Sequence, residues 1–331
     1  MNTAKHKLSE GVELTKVNSK RSLPPETGVF VVLSILCIAF TLRFPEARNG
    51  ATAAVILTNL AEISIIAAGM TLVIATGGID VSVGSIVGLC GIVLGKLSVE
   101  RHMSLFPAIL ITLVVGATCG WINGRLISKF KLPPIIATLA MFSAARAGAY
   151  VLSNGNSISG LPDVLTNFGY GSLLGIPSVA WLAGAVLLTM GILLKRTVFG
   201  RSILALGGNR EASYLSGRPI ASIETKVYLI SGLCAAIAAI VVTARGATAV
   251  PDAGKYLELR AITAVVVGGT PVIGGRATMI GTMLGLLTIG VVQQGVVSFG
   301  KDVMWEMLVM AVVLLAAVEV DRWRLRRALA A

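Results

Sequence analysis

Six polar side chains interrupt the apolar runs of this chain: Asn59, Glu62, Arg146, Gln293, Gln294 and Glu306. An ionisable group in such a run faces a cavity or a partner, because hydrocarbon does not solvate charge. Glu62 and Glu306 are candidates to pair with Arg146, and the same six residues would also serve as plain hydrogen bonds between helices. Two glycine-rich breaks are the other feature with chemical content. Thr76-Gly77-Gly78-Ile79-Asp80-Val81-Ser82-Val83-Gly84-Ser85 places a helix-ending glycine pair before a carboxylate. Glycine tolerates positive φ, and Asp80 then reads as the N-cap of the next helix, complementing its dipole. The second break, Val267-Gly268-Gly269-Thr270-Pro271-Val272-Ile273-Gly274-Gly275-Arg276, has a proline without an N–H between two glycine pairs. Each break is either the border of a polar pathway or a tight turn between two helices.

The usual catalytic constellations are missing. His6 and His102 have no second ligand type at metal spacing, and Cys37, Cys90, Cys119 and Cys234 each lie in an apolar run without a CxxC pair. No metal site, no catalytic residue and no cofactor bound by this chain is expected. No GxxxxGK[ST] motif is present, so the chain does not bind ATP through a P-loop. An energy source has to come from elsewhere.

The elements that would position these residues follow from composition. Of the 331 residues, 55% are hydrophobic and 13% charged; a soluble domain carries about 25% charged residues. The chain is therefore read as an all-α membrane protein. About ten spans of mainly apolar residues can be laid out: Gly28 to Phe44, Val55 to Thr76, Val81 to Val99, Leu105 to Ile127, Pro134 to Leu152, Ile176 to Leu194, Val227 to Thr243, a short Leu259 to Val267, Met279 to Val297 and Val303 to Val320. The net charge of +12 would suggest nucleic acid in a soluble protein, but in a membrane protein it collects on cytoplasmic segments. With the N-terminus inside, 19 basic residues fall on inner segments and 8 on outer ones, with Arg146 inside a span. Both termini are expected in the cytoplasm, with residues 1–27 as an uncleaved N-terminal tail, 28–320 as the membrane domain and 321–331 as a C-terminal tail. Trp121, Trp181, Trp305 and Trp323 near span ends read as interfacial anchors.

Two connections are long. Ser153 to Gly175 has no Lys or Arg and suits the outer side, whereas Thr197 to Lys226 carries Arg201, Arg210, Glu211 and Arg218 and has room for a short amphipathic helix. In this inner loop Gly207-Gly208 makes a break, Asn209 can cap, and a helix starts near Glu211. It reads either as a docking segment for a soluble ATPase or as a solvated loop. The two glycine breaks, Ile74 to Gly88 and Val266 to Gly281, echo each other weakly, as duplicated halves of transporters do.

The segments GGIDVSVGSIVGLC (Gly77 to Cys90), FGRSILALGGNREASYLSG (Phe199 to Gly217) and ELRAITAVVVGGTPVIGGRATMIGTMLG (Glu258 to Gly285), in that order, resemble the membrane permease subunits of ribose/xylose/galactose-type ABC importers. The resemblance runs from about Gly28 to Arg322. IDVSVGSIVGLC and the VVQQG at Val291 to Gly295 look most like autoinducer-2 and rhamnose permeases. The resemblance implies a type II importer-like fold, a dimer with a second copy or a paralogue, two cytosolic ATPase subunits that carry ATP and Mg, and a periplasmic sugar-binding protein. It places ATPase coupling on Gly200, Arg201, Gly208, Asn209, Glu211, Ala212 and Gly217. It places the translocation path near Gly77, Gly78, Asp80, Ser82 and Gly84, and near Gly268, Gly269, Thr270, Pro271, Gly274 and Gly275. Thr270-Pro271 departs from the Ser and Leu frequent in the family, and Arg218-Pro219 departs from its usual apolar residue. The expectation is an inner-membrane, multi-pass sugar permease that does no covalent chemistry. The alternative is an ion-coupled secondary transporter of a small polar solute, using Glu62 and Glu306.

Overall fold

The computed structural model describes residues 25–300 and helical positions at 305, 308, 309, 311, 312, 315 and 319. Residues 1–24 of the expected N-terminal tail, the expected C-terminal tail and most of the tenth expected span, Glu306 included, lie outside the described residues, and 25–27 open α1. Twelve helices run in order among the described residues: α1 Pro25–Arg43, α2 Gly50–Ala75, α3 Val83–Gly95, α4 Leu105–Ser128, α5 Pro134–Ser153, α6 Asp163–Tyr170, α7 Ser178–Arg196, α8 Val198–Gly208, α9 Arg210–Leu215, α10 Ile220–Gly246, α11 Leu257–Val267 and α12 Met279–Ser298. A π turn, Lys96–Glu100, extends α3. Eight helices among the described residues are long and apolar enough to cross a membrane. The protein is a multi-pass membrane protein.

Helices α2 and α10 form the buried centre, and α4 crosses α10 at close range. The approach is set by small residues. A Cβ at Gly116 would stand 2.6 Å from the Gly232 carbonyl, one at Gly124 would stand 2.6 Å from Thr225 Cα, and one at Gly120 would overlap the Tyr228 carbonyl. Gly116, Gly120 and Gly124 thus form the small stripe that lets backbones touch where no hydrophobic effect drives helices together. Ser128 Oγ and Thr225 Oγ1 close the contact at 2.9 Å. This end of the bundle carries Lys129, Lys131, Lys195, Arg196 and Arg201 and is the basic end.

The eighth expected span is not a full helical crossing. α11 has 11 residues, about 16 Å at the α-helical rise, or half the hydrocarbon thickness. The rest of the passage is the turn segment 250–256, which lies along α3. Unpaired carbonyls at such depth cost several kcal/mol. Arg146 on α5 supplies the missing donors, giving Nη1 to the Pro251 and Ala253 carbonyls at 2.6 and 3.0 Å and Nη2 to the Gly84 carbonyl at 3.4 Å. The expected pairing of Arg146 with Glu62 is therefore corrected: the guanidinium is consumed by backbone.

The expected loop Thr197 to Lys226 is mostly helical, and its last residues, from Ile220, already belong to α10. Ile203 and Leu206 of this segment lie in the core, with Leu204 and Ile220 packed against it.

Candidate functional site

The two glycine breaks have the same local geometry. After α2, Gly78 N–H donates to the Val73 carbonyl and Gly77 N–H to the Ile74 carbonyl; after α11, Thr270 N–H donates to the Val265 carbonyl and Gly269 N–H to the Val266 carbonyl. Gly77 and Gly269 occupy the left-handed position, with φ of 82° and 91°. Both helices thus end in the same glycine-dependent stop, which is the physical content of the sequence echo.

The breaks meet. Gly275 N–H donates to the Ala75 carbonyl at 3.0 Å, and a Cβ at Gly274 would stand 2.6 Å from Gly77 N. The end of α8 joins them: a Cβ at Gly275 would lie 2.8 Å from Gly208 Cα, and one at Gly207 would overlap the Ala75 carbonyl. Gly77, the Gly207-Gly208 pair and the Gly274-Gly275 pair, from three distant parts of the sequence, therefore form one backbone-to-backbone junction. Gly268 packs instead on Gly281, closing the α11–α12 hairpin. Thr270 and Pro271 are buried beside it, with Thr270 Oγ1 lacking a partner.

Asp80 is not at this junction and is not the cap of α3, whose N-cap position is Ser82. It is fully buried. Its Oδ1 accepts from Ser82 N at 3.0 Å and Ser82 Oγ at 2.6 Å, and its Oδ2 accepts from Ser231 Oγ at 2.8 Å. Asn123 Nδ2 donates to Ser82 Oγ at 2.9 Å. Asp80 therefore ties the break to α10 through Ser231 and, through Ser82, to α4. Gly84, one turn on, leaves room for the Glu258 carboxylate.

The segment after α7 begins with Thr197 Oγ1 accepting from Gly200 N at 3.0 Å. Gly200 is required where a Cβ would overlap the Leu193 and Leu194 carbonyls. Asn209 caps α9, its Oδ1 accepting from Ala212 N at 2.9 Å. Gly217, at φ 71°, ends α9. Arg201, Glu211 and Ala212 are exposed. Tyr214 and Leu215, 71% and 78% exposed, sit on the same short helix and were not singled out by sequence. Arg210 forms an ion pair with Glu224, whose hydrogen bond holds the guanidinium above its ordinary pKa. Arg218 donates to Ser202 Oγ at 2.6 Å, so the Arg218-Pro219 departure fastens α8 to the start of α10.

Glu62 and Asn59 on α2 pair with Arg245 in the last turn of α10, at 2.6 and 2.9 Å. The expected span ends at Thr243, and α10 runs on to Gly246, so Arg245 is helical. Removing one charge leaves the other stranded, at about 3–5 kcal/mol. Glu62→Gln is expected to lower the melting temperature in detergent markedly, whereas Glu62→Gln with Arg245→Gln recovers most of it. A double variant no more stable than the single one would show that the pair is not the unit. Gln293 is half-buried on α12.

A bundle of membrane-capable helices with a broken span, paired glycine breaks and a helical segment touching both is the architecture of a transport permease. The matching family model, described as the branched-chain amino acid transport system permease component, covers residues 52–318, and the chain belongs to that family. It is 40% identical to the ribose import permease of Escherichia coli strain K12 over 80% of this chain and 84% of that one. It is 38% identical to the ribose import permease of Bacillus subtilis strain 168 over 89% and 92% of the two chains. It is 33% identical to the autoinducer 2 import system permease of Photorhabdus laumondii over 88% of each chain. No solved structure matches.

Proposed function

We propose that this chain is the permease subunit of an ATP-driven importer that moves a monosaccharide or a sugar-like solute of the ribose, rhamnose or autoinducer-2 type across the bacterial inner membrane. ATP and Mg belong to a cytosolic ATPase partner, substrate arrives on a periplasmic sugar-binding protein, and a second copy or paralogue completes the path. The basic end is then cytoplasmic, as are both termini, in keeping with the positive-inside rule.

The junction carries this reading. α8 is packed into the bundle through Ile203 and Leu206 and touches both breaks through Gly207 and Gly208, and α9, which follows it, exposes Tyr214 and Leu215. A partner that moves α8 therefore acts directly on α2 and on the segment between α11 and α12. The two breaks flank the path and act as its hinges, with Asp80 holding the first from inside the bundle. The transporter contributes two states and differential contacts to its solute in each.

Tyr214, Leu215 and Glu211 form the tip presented to the ATPase. Glu211→Lys is expected to reduce co-purification of the ATPase by about tenfold, the equivalent of one strong charge-assisted contact. Undiminished co-purification, with the folded permease recovered at normal yield, would remove α9 as the docking element.

A further inference from the structure

The exposed face of α4 is what lipid requires: Phe106, Leu110, Ile111 and Val114. The exposed face of α5 changes character halfway. Near the basic end it shows Ile135, Ile136 and Leu139, beyond them it shows Ser143, Ala144, Ala147 and Tyr150, and its last turn is apolar again at Val151 and Leu152. At the helical rise, Arg146 stands about 18 Å and Tyr150 about 24 Å along α5, within a hydrocarbon layer of about 30 Å.

The broken segment before α11 reaches the same depth, since its carbonyls accept from Arg146. It brings Asp252 and Lys255, which pair with each other, and Tyr150 Oη donates to Asp252 Oδ1. Lys255 and Tyr256 are exposed. A charge against lipid costs about 2.5–3.5 kcal/mol at the bilayer centre even on the mildest scale, and less towards the interface, so charged side chains in a span favour a water-filled cavity. The Asp252–Lys255 pair therefore opens onto water, not lipid. Glu258, only 6% exposed, adds a carboxylate behind them whose Oε2 has no partner.

We propose that Tyr150, Asp252, Lys255 and Tyr256 form a hydroxyl-binding station for a neutral polyhydroxylated solute in the half of the path away from the basic end, with Arg146 as the positioning residue that fixes the segment carrying it. This rests on the permease reading and adds the place and chemistry of solute contact. A carboxylate accepts from neighbouring hydroxyls, an ammonium donates to them, and the two tyrosine rings offer apolar faces to sugar C–H groups. The ion pair is internally neutral, so the station favours no net charge on the solute. Its groups already bond one another, so a hydroxyl replaces a contact instead of adding one. Binding is then weak enough for onward release, which a conducting site needs.

Two measurements test it, both on the full permease assembled with its ATPase and binding protein. First, Ala147→Cys and, as a lipid-facing reference, Leu188→Cys on α7 are treated with a membrane-impermeant maleimide. Ala147→Cys is expected to label and Leu188→Cys to remain unlabelled; equal protection of both would place the face in lipid or in a sealed interface and overturn the station. Second, Tyr150→Phe and Asp252→Asn are assayed in proteoliposomes against the monosaccharide that the wild type moves fastest. Each is expected to cut the uptake rate about tenfold, as loss of one good hydrogen bond does. Each is also expected to change the preference between two epimeric sugars, with ATP hydrolysis stimulated by the binding protein retained. Wild-type uptake and wild-type preference in both variants would overturn the station alone. A wild-type assembly that moves no monosaccharide would instead overturn the permease reading, and the sugar assignment with it, whatever the labelling result.

Discussion

Gly207→Ala is expected to abolish coupled uptake. The added methyl would overlap the Ala75 carbonyl and stand 2.5 Å from Gly275 N. Those two atoms are partners in the 3.0 Å hydrogen bond that joins the breaks. Neither belongs to a side chain that could change rotamer, so relief has to come from moving α8 away from α2. Overpacking of this kind costs about 1–3 kcal/mol in a soluble core, and a backbone–backbone contact sits at the upper end. The melting temperature in detergent should fall by several degrees, about what that loss produces in a domain of this size. Uptake should fall further than stability accounts for, because the displaced helix is the one that carries α9. ATP hydrolysis by the docked partner should persist but lose its response to loaded binding protein. Gly184→Ala on α7, where a Cβ meets nothing within 4 Å, is the control and should be neutral. A Gly207→Ala protein with normal melting and normal uptake would remove the junction from the mechanism.

Much of the architecture was written locally. The spans are long apolar runs, and their boundaries fall within a few residues of α1 to α5, α7 and α12. The two breaks were legible because only glycine serves at φ values such as those of Gly77 and Gly269. Asn209 was legible as a cap because an amide followed by a short helical segment has one obvious use. What the sequence did not disclose is which distant groups meet. Nothing within 20 residues of Glu62 distinguishes Arg245 from Arg146 as its partner; the choice is made by the antiparallel packing of α2 on α10. Arg146 could not be recognised as a backbone donor until the carbonyls of Pro251 and Ala253 were known to be unwound beside it. Gly207 looked like half of an ordinary turn, and its contact with Ala75 exists only in three dimensions. One signal was present and unread: the spacing of Gly116, Gly120 and Gly124, which specifies the close α4–α10 crossing.

Asp80→Ala and Asp80→Asn should separate sharply. Alanine leaves Ser82 N, Ser82 Oγ and Ser231 Oγ without an acceptor in a site with no water access, each at about 1–3 kcal/mol. These costs overlap, so a net loss of about 3–5 kcal/mol is expected, enough to depress folded yield as well as uptake. Asparagine can keep its carbonyl oxygen on Ser82, and its amide can donate to Ser231 Oγ once that hydroxyl rotates to accept. Asp80→Asn should therefore fold and should transport within a few-fold of wild type, because Asp80 has no exposed surface and acts by fastening the first break to α10. Thermal melting and uptake measured on the same preparations decide the matter. If Asp80→Asn melts normally but fails to transport, the carboxylate's charge enters the transport cycle itself. The site would then have to open during the cycle, and the first break would move Asp80 from the bundle interior to the path.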